Sequence, residues 1–367
     1  MMNKFIVISE QINNENQTHN TRIFTNKPEI RYKNIYDKLS SLNYNIIANT
    51  TIISLLELEH LFVHNRIMLK FFKNCINSYT DFYFHLSEDN TFGNFKNGII
   101  PYNIIRNANE IINNDQLLNQ MACFKQIGLF ATDQITPIFE NTYSQMLSSA
   151  SNGFVAPKYI IDGYNRIYCL NLNPGHHASY NSYGGYCYLN NGAICAKSLL
   201  TNSDLNYKNI AILDLDYHAG DGTTEIFKDN KNVLTISIHM NPIHDYPFYS
   251  SFEESNEDKE YYNFCFEPKC DLEQYLNLIK KSMNIIYDFE PDALIIAFGG
   301  DTYENDLDAL EHNRTKITIN DYKIISSTIE KLWNSQKPII VTQEGGYNMN
   351  DIAEIVNSFL SGFMEND

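Results

Sequence analysis

The sequence predicts an α/β fold, a mostly parallel sheet covered by helices on both faces. Three observations carry this. Short runs of continuous apolar residues recur along the chain and alternate with stretches of helical periodicity, the pattern of buried parallel strands joined by helices. The polar clusters able to do chemistry each follow the end of an apolar run, where open parallel sheets build their ligand sites. No repeat and no flexible linker divides the 367 residues, so one domain spanning 1–367 is expected.

In chain order, Phe5 to Ile8 reads as an opening strand. Pro28, just after Asn26-Lys27, suits the first turn of a helix whose apolar face is Ile30, Ile35, Leu39 and Leu42. Ile46 to Ala48 is a second short strand, and 52–75 reads as two helices, with His64 a packed, hydrogen-bonded residue among their apolar positions. The aromatic, polar stretch 78–115 has no clear period and is expected to be a lid or subunit-contact insertion. Residues 116–131 and 136–151 read as helices, the second opened by Thr136-Pro137. Strands follow at 167–172, 210–213, 233–238, 293–297 and 338–341, with helices at 191–200, 225–227, 272–289, 321–333 and after Asn350. Residues 239–262 are expected to form a long loop.

Composition narrows the partners. With 43% hydrophobic residues there is ample core, and a formal net charge of -17 disfavours nucleic acid while attracting small cations. The seven cysteines are widely spaced, odd in number and without a C-x-x-C pair, which predicts reduced thiols and a cytoplasmic protein rather than a disulfide framework or zinc ribbon. The apolar run at Phe5 to Ile8 is too short for a signal peptide, and no run approaches the ~18 residues needed to span a bilayer, so no membrane association is expected.

The chain is organised around 208–223, K-N-I-A-I-L-D-L-D-Y-H-A-G-D-G-T. Alternation along a strand would project Asp214, Asp216 and His218 to one side. An imidazole beside a carboxylate suits a divalent metal, zinc first. Two solvated aspartates and a satisfied histidine are the plainer alternative for this stretch by itself. Asp301, after Gly299-Gly300 at another strand end, adds a third ligand to Asp216 and His218 and leaves coordination positions open for water and substrate. His176-His177, in a Pro-Gly turn after a third strand, are proton-transfer candidates, with Asp214 and Asp221 able to orient them. Tyr347, after Gly345-Gly346 at a fourth strand end, can donate to an oxyanion. Cys187 is read as a packed small residue, with a Cys–His nucleophile as the alternative. The assembled residues suit metal-assisted hydrolysis of an amide. No Gly-x-Ser-x-Gly and no phosphate-binding loop is present.

Pro174-Gly-His-His-Ala178, Gly184-Gly-Tyr-Cys-Tyr-Leu-Asn-Asn191, Asp214-Leu-Asp-Tyr-His218, Gly220-Asp-Gly-Thr223, Gly300-Asp-Thr302 and Glu344-Gly-Gly-Tyr347 together resemble the zinc-dependent histone deacetylase and acetylpolyamine amidohydrolase family, in order and in spacing. The likeness is close from Pro137 onward and looser before it. Asn241 to Phe248 and Asp301 to Asp306 look more like the acetylpolyamine amidohydrolases.

The resemblance implies an arginase/deacetylase fold with a single eight-stranded, mostly parallel sheet, and one zinc ion per chain on Asp216, His218 and Asp301. It implies His177 as general base backed by Asp221, His176 as its acid or electrostatic partner backed by Asp214, and Tyr347 on the acyl oxygen. Gly185 and Tyr186 would line the substrate tunnel. A potassium ion would lie near Asp214, Asp216, His218, Ser237 and Ile238. Departures are Ala219 after the ligand histidine, Leu172-Asn173 before the Pro-Gly turn, and Leu307 after Asp306. Arginase chemistry is disfavoured because residue 220, a ligand position there, is Gly.

The expected activity is removal of an acetyl or other acyl group from an amine, with an acetylated polyamine favoured as substrate, acetyl-lysine in a protein as the alternative, and a silent binding protein as the reading of another class. A homodimer is also expected. Carboxylates in 78–115 (Asp81, Glu88, Asp89, Glu110, Asp115) and in 239–262 (Asp245, Glu253, Glu254, Glu257, Asp258) are expected to ring the tunnel mouth and attract a cationic amine.

Overall fold

The computed structural model describes residues 4–10, 27–84, 98–101, 103–105, 107–256, 260–333 and 337–364. The chain opens with β1 (Phe5–Ser9), α1 (Pro28–Ser41) and β2 (Ile46–Ala48). A helical region follows: α2 (Leu55–Leu61), α3 (Arg66–Phe84), α4 (Ala108–Ile112), α5 (Asp115–Gln120), α6 (Ile127–Phe130), α7 (Thr142–Phe154) and α8 (Ala156–Ile161). Then come β3 (Arg166–Leu170), α9 (Asn191–Thr201), β4 (Ile210–Asp214), α10 (Asp221–Phe227), β5 (Val233–Met240), β6 (Glu254–Asn256) and β7 (Tyr261–Phe266). The chain closes with α11 (Leu272–Phe289), β8 (Ala293–Phe298), α12 (Ile319–Leu332), β9 (Ile339–Gln343) and α13 (Ile352–Ser361).

One sheet runs in the order β2-β1-β3-β9-β8-β4-β5-β7-β6. Every described pairing is parallel except that of β6 with β7. The expected eight-stranded parallel sheet is therefore present, and a ninth, antiparallel strand lies on its edge. Alternation along each strand separates two cores. Ile6, Ile8, Ile210, Ile212 and Ile295 face the layer containing α3, α7 and α9. Val7, Ala211, Leu213, Leu294 and Ile296 face α1, α11, α12 and α13. Both faces of each central strand are thus buried, which is why these strands read as continuous apolar runs.

Several expectations need correction. The helix expected from Thr136 begins at Thr142. Residues 136–141 are diverted because Thr136 N bonds Asp133 Oδ1, Ile138 forms a bridge with Ile99, and Phe139 N donates to Thr142 Oγ1. The helix expected over 116–131 is broken: Met121 and Ala131 are extended, and a 3₁₀ turn at Cys123–Gln126 lies between them. The stretch 78–115 is not irregular throughout, since α3 runs to Phe84 and α4 lies within it. Residues 85–97, on which its role as a lid or contact rests, lie outside the described residues. The loop expected over 239–262 contains the end of β5, all of β6 and the start of β7.

Two buried polar devices tie the fold together. Arg166 on β3 meets Glu330 on α12 in a two-pronged ion pair at 2.6 and 2.8 Å, both side chains almost fully buried. Breaking a buried pair leaves an uncompensated charge, so Glu330→Gln should cost roughly 3–5 kcal/mol in a urea titration. His64 joins α2–α3 to the loops between β3 and α9: Nδ1 donates to the Ser179 carbonyl (2.8 Å) and Nε2 accepts from Asn190 N (2.9 Å). Burial depresses its pKa to about 4. A depressed histidine contributes its full stability above the unfolded value near 6.5, and that contribution falls as pH drops toward 4, by ~1.4 kcal/mol per pH unit. Denaturation of parent and His64→Gln at pH 7.5, 6 and 5 should show this slope as the difference between the two.

Candidate active site

Four neighbouring strands, β3, β9, β8 and β4, bring their carboxyl ends together. His176-His177 follow β3, Tyr347 follows β9, Asp301 follows β8, and Asp216 and His218 follow β4. The strand itself stops at Asp214, so Asp216 and His218 project from the turn beyond it rather than from the strand. That turn is still braced by the sheet, since Leu215 N donates to Ala297 O and Met240 N to Tyr217 O.

Asp216, His218 and Asp301 place one ligand atom each within 4.8 Å of one another, and all three are buried. His218 Nδ1 lies 3.3 Å from Asp216 Oδ1 and 3.4 Å from Asp301 Oδ2. Asp216 Oδ2 accepts from Gly345 N (2.8 Å), and Asp301 Oδ1 accepts from Tyr217 N (3.0 Å). Asp301 Oδ2 is buried with no hydrogen-bond partner. Burial, followed by the charge of Asp216, pushes the Asp301 pKa well above the usual carboxylate range. Burial would raise Asp216 as well, but His176 and His218 outweigh it and hold that carboxyl low. An orphaned carboxylate oxygen aimed at a second carboxylate and an imidazole is a donor set that fits a divalent cation. The cradle has glycine walls: a Cβ on Gly345 would lie 2.3 Å from Asp301 Oδ2 and 2.6 Å from Asp216 Oδ2.

The histidine pair lies alongside, its rings 4.0 Å apart. His176 Nδ1 bonds Asp214 Oδ2 at 3.0 Å, and His177 Nδ1 bonds Asp221 Oδ1 at 2.7 Å. Burial by itself would lower the His176 pKa, but Asp216 and Asp214 outweigh it and push it up to about 10. His177 goes the other way, lowered by burial and by the neighbouring His176. The two imidazoles are thus pushed in opposite directions, a division that suits an acid–base pair. The turn carrying both rings hangs on Glu344, whose Oε2 accepts from Gly175 N and His176 N and whose Oε1 accepts from Thr342 Oγ1. Burial raises the Glu344 pKa to about 7.

The mouth is shaped by Gly185 and Tyr186, both left-handed at φ 55° and 66°. The strain at Tyr186 is offset by Asp133 Oδ2 accepting from Gly185 N (2.6 Å) and Thr136 Oγ1 accepting from Tyr186 N (2.9 Å). The Tyr186 ring meets the Tyr347 ring edge-on at 5.7 Å. Burial raises the Tyr347 pKa well above its ordinary value, so the phenol keeps its proton as a donor. Cys187 is fully buried and burial raises its thiol pKa, which fits the packed role and removes the nucleophile alternative. In the region expected to hold potassium, Asp214 and Ser237 are register partners, and Ser237 Oγ accepts from Gly220 N and bonds His239 Nδ1.

Sequence reading missed several residues here. Tyr246 packs edge-on against His177 at 4.9 Å and forms another wall. Arg31, fully buried on α1, lies with its guanidinium 5.9 Å from the Tyr347 ring centroid and donates to the Leu172 carbonyl. Nothing local in the sequence marks Arg31, and Tyr246 was legible only as one residue of the stretch Asn241 to Phe248. Asp306 was legible only as part of a motif, yet it clamps the mouth: Oδ2 accepts from Tyr347 N (2.7 Å) and Asn348 N (3.0 Å), and Oδ1 accepts from Asp308 N (2.9 Å).

Of the carboxylates expected to ring the mouth, Asp245 and Glu253 have other partners. Asp245 is buried beneath the surface against Tyr217, and Glu253 lies within 3.9 Å of Lys281. Glu88, Asp89, Glu257 and Asp258 lie outside the described residues, as do the side chains of Asp81 and Glu254.

Comparison with known proteins gives the same grouping. The family described as "Histone deacetylase domain" matches residues 27–363. Acetylpolyamine amidohydrolase 2 of Pseudomonas aeruginosa is 31% identical over 242 residues, covering 65% of this chain and 67% of that protein. The acetylpolyamine amidohydrolase of Mycoplana ramosa is 31% identical over 241 residues, 65% of this chain and 68% of its own length. Histone deacetylase 8 of Arabidopsis thaliana is 28% identical over 234 residues, 61% of this chain and 60% of that protein. In structure, acetylpolyamine aminohydrolase from Burkholderia pseudomallei superposes with a TM-score of 0.81 at 22% identity, over 98% of this chain and 99% of the other. With the arginase/deacetylase sheet and a buried Asp-His-Asp centre already in place, the match along nearly the whole chain shows that this protein belongs to the histone deacetylase family, a family of amide-hydrolysing enzymes.

Proposed function

We propose that the chain is a zinc-dependent deacetylase of small acetylated amines, acetylated polyamines first. The observation that carries the metal is the orphaned, buried Asp301 Oδ2 facing Asp216 and His218. The substrate rests on the relatives, several of which are named acetylpolyamine amidohydrolases. A divalent ion held by these three side chains supplies a Lewis acid that polarises the acyl carbonyl and acidifies water.

The protein's own groups do the rest. His177 Nδ1 is held by Asp221, which leaves Nε2 as the basic nitrogen to take the proton of the attacking water. Tyr347 donates its hydroxyl to the carbonyl oxygen as negative charge builds there. His176, held through Nδ1 by Asp214 beside His177, stabilises that charge, and the histidine pair returns a proton to the departing nitrogen. The C–N bond then breaks to give the free amine and the carboxylate. We also place potassium near Asp214 and Ser237, and the enzyme in the cytoplasm as a homodimer. The free state of all seven cysteines supports that compartment.

The test is turnover by zinc-loaded protein on acetylpolyamines, acetyl-lysine peptides and neutral acetamides. Polyamine substrates should give the highest kcat/KM; a peptide outperforming them would move the protein to the lysine deacetylases, and no turnover of any of them would remove the reading. Asp301→Ala should lose both metal and activity, and stoichiometric zinc by elemental analysis in that variant would take Asp301 out of the site. Tyr347→Phe should lower kcat by ~100- to 1000-fold with zinc retained and KM little changed.

A further inference from the structure

The strand β5 carries a histidine that the chemistry above leaves unused. His239 is fully buried, and with Ser237 two residues earlier it points away from the face of β5 that Ile236, Ile238 and Met240 give to the core. Both ring nitrogens are bonded, and they reach different parts of the site. Nδ1 lies 2.8 Å from Ser237 Oγ, and Nε2 lies 2.9 Å from the Ser251 carbonyl. A carbonyl only accepts, so Nε2 carries the proton. Burial favours the neutral ring, which leaves Nδ1 to accept from the Ser237 hydroxyl. Ser237 Oγ in turn accepts from Gly220 N at 3.1 Å. The chain of bonds is thus directed, from the Gly220 amide through Ser237 and His239 to Ser251.

Each end of that chain is a place where the site needs holding. Gly220 stands between His218, a member of the Asp-His-Asp cluster, and Asp221, which orients His177. A Cβ on Gly220 would overlap the Asp214 carboxylate, so the turn is also seated tightly against the support of His176. At the other end, Ser251 belongs to the segment 241–252, in which Phe248, Tyr249 and Ser251 all have positive φ, at 36°, 59° and 56°. Such backbone persists only where its surroundings fix it. The same segment carries Tyr246, whose ring meets those of His177 and His218 edge-on at 4.9 and 6.2 Å.

We infer that His239 is a positioning residue that sets two parts of the site at once. Through Ser237 it holds the Gly220 turn, with His218 and Asp221 on either side, and through Ser251 it holds the segment whose Tyr246 walls the opening. The kinetic consequences rest on the deacetylase reading above and deepen it.

The experiment uses two substitutions that each keep one arm. The Asn carboxamide oxygen falls near the Nδ1 position and does not reach Ser251, so His239→Asn keeps the Ser237 bond alone. The Gln carboxamide reaches the Nε2 position, so His239→Gln keeps the Ser251 bond alone. Amide hydrogen exchange is read by mass spectrometry on peptides covering 218–224 and 241–252, together with kcat and KM on an N-acetyl diamine. His239→Gln should speed exchange in 218–224 and lower kcat about tenfold with KM little changed, because Asp221 and the histidine it holds act in the transition state. His239→Asn should speed exchange in 241–252 and raise KM about fivefold with kcat little changed, because the Tyr246 wall meets bound substrate and transition state alike. Ser237→Ala cuts only the turn arm and must reproduce the His239→Gln pattern, whether or not both histidine variants fold; parent-like behaviour there sinks the idea. The same pattern in both histidine variants, or a lower melting temperature with exchange and kinetics as in the parent, would overturn the assignment and leave His239 a packing residue. A parent that hydrolyses no acetylated amine removes the deacetylase reading and leaves this one to the exchange data. Faster exchange confined to the expected peptide in each variant supports it, and faster exchange spread over both peptides refutes it.

Discussion

The structure depends on keeping two carboxylates together away from water. Asp216 and Asp301 are each 1% exposed and share one imidazole, His218. Two like charges in such a place repel, and each also loses its hydration. Backbone amides of Tyr217 and Gly345 satisfy one oxygen of each, while Asp301 Oδ2 has no hydrogen-bond partner. The arrangement fits a divalent cation, and the surroundings are cut to leave room for one. Gly299 and Gly345 have no side chain because a Cβ at either would overlap the carboxylates.

The same charges set the character of the histidine pair. The two rings are adjacent in sequence and nearly in contact, yet their pKa values move in opposite directions. His176 faces Asp214 and Asp216, whereas His177 faces Asp221 and its own charged neighbour. Neither ring could hold this position without its turn, and the turn is fixed from below by Glu344 on the segment after β9. The buried Asp-His-Asp cluster and the histidine pair are therefore one electrostatic unit, built from three of the four central strand ends and backed by the fourth.

Outside that unit, hydrogen bonds from the loops shape the entrance. Asp133 ties Gly185 to the segment before α7 and also meets the Tyr246 hydroxyl at 3.4 Å. Asp306 ties Tyr347 to the turn after β8. These two aspartates come from different parts of the chain and fix the backbone of Gly185 and Tyr347, while Thr136 holds Tyr186 at positive φ.

The sequence by itself determined the fold class, most element positions and all three members of the Asp-His-Asp cluster. Buried parallel strands are apolar throughout, and ligand-bearing turns are polar and glycine-rich, so both are legible locally. It misplaced the helix at Thr136 and the pieces over 116–131, where side-chain bonds from Asp133 and bridges to Ile99 and Tyr183 override helical periodicity. It missed the strands β6 and β7, whose aromatic, polar residues lack a continuous apolar run. Only the tertiary structure decided that β3, β9, β8 and β4 are neighbours, because sheet order is set by which helices pack across which strands and not by the strands' own residues. Tyr246 and Arg31 entered the site for the same reason. Each is ordinary in its local sequence and becomes informative through what distant segments place beside it.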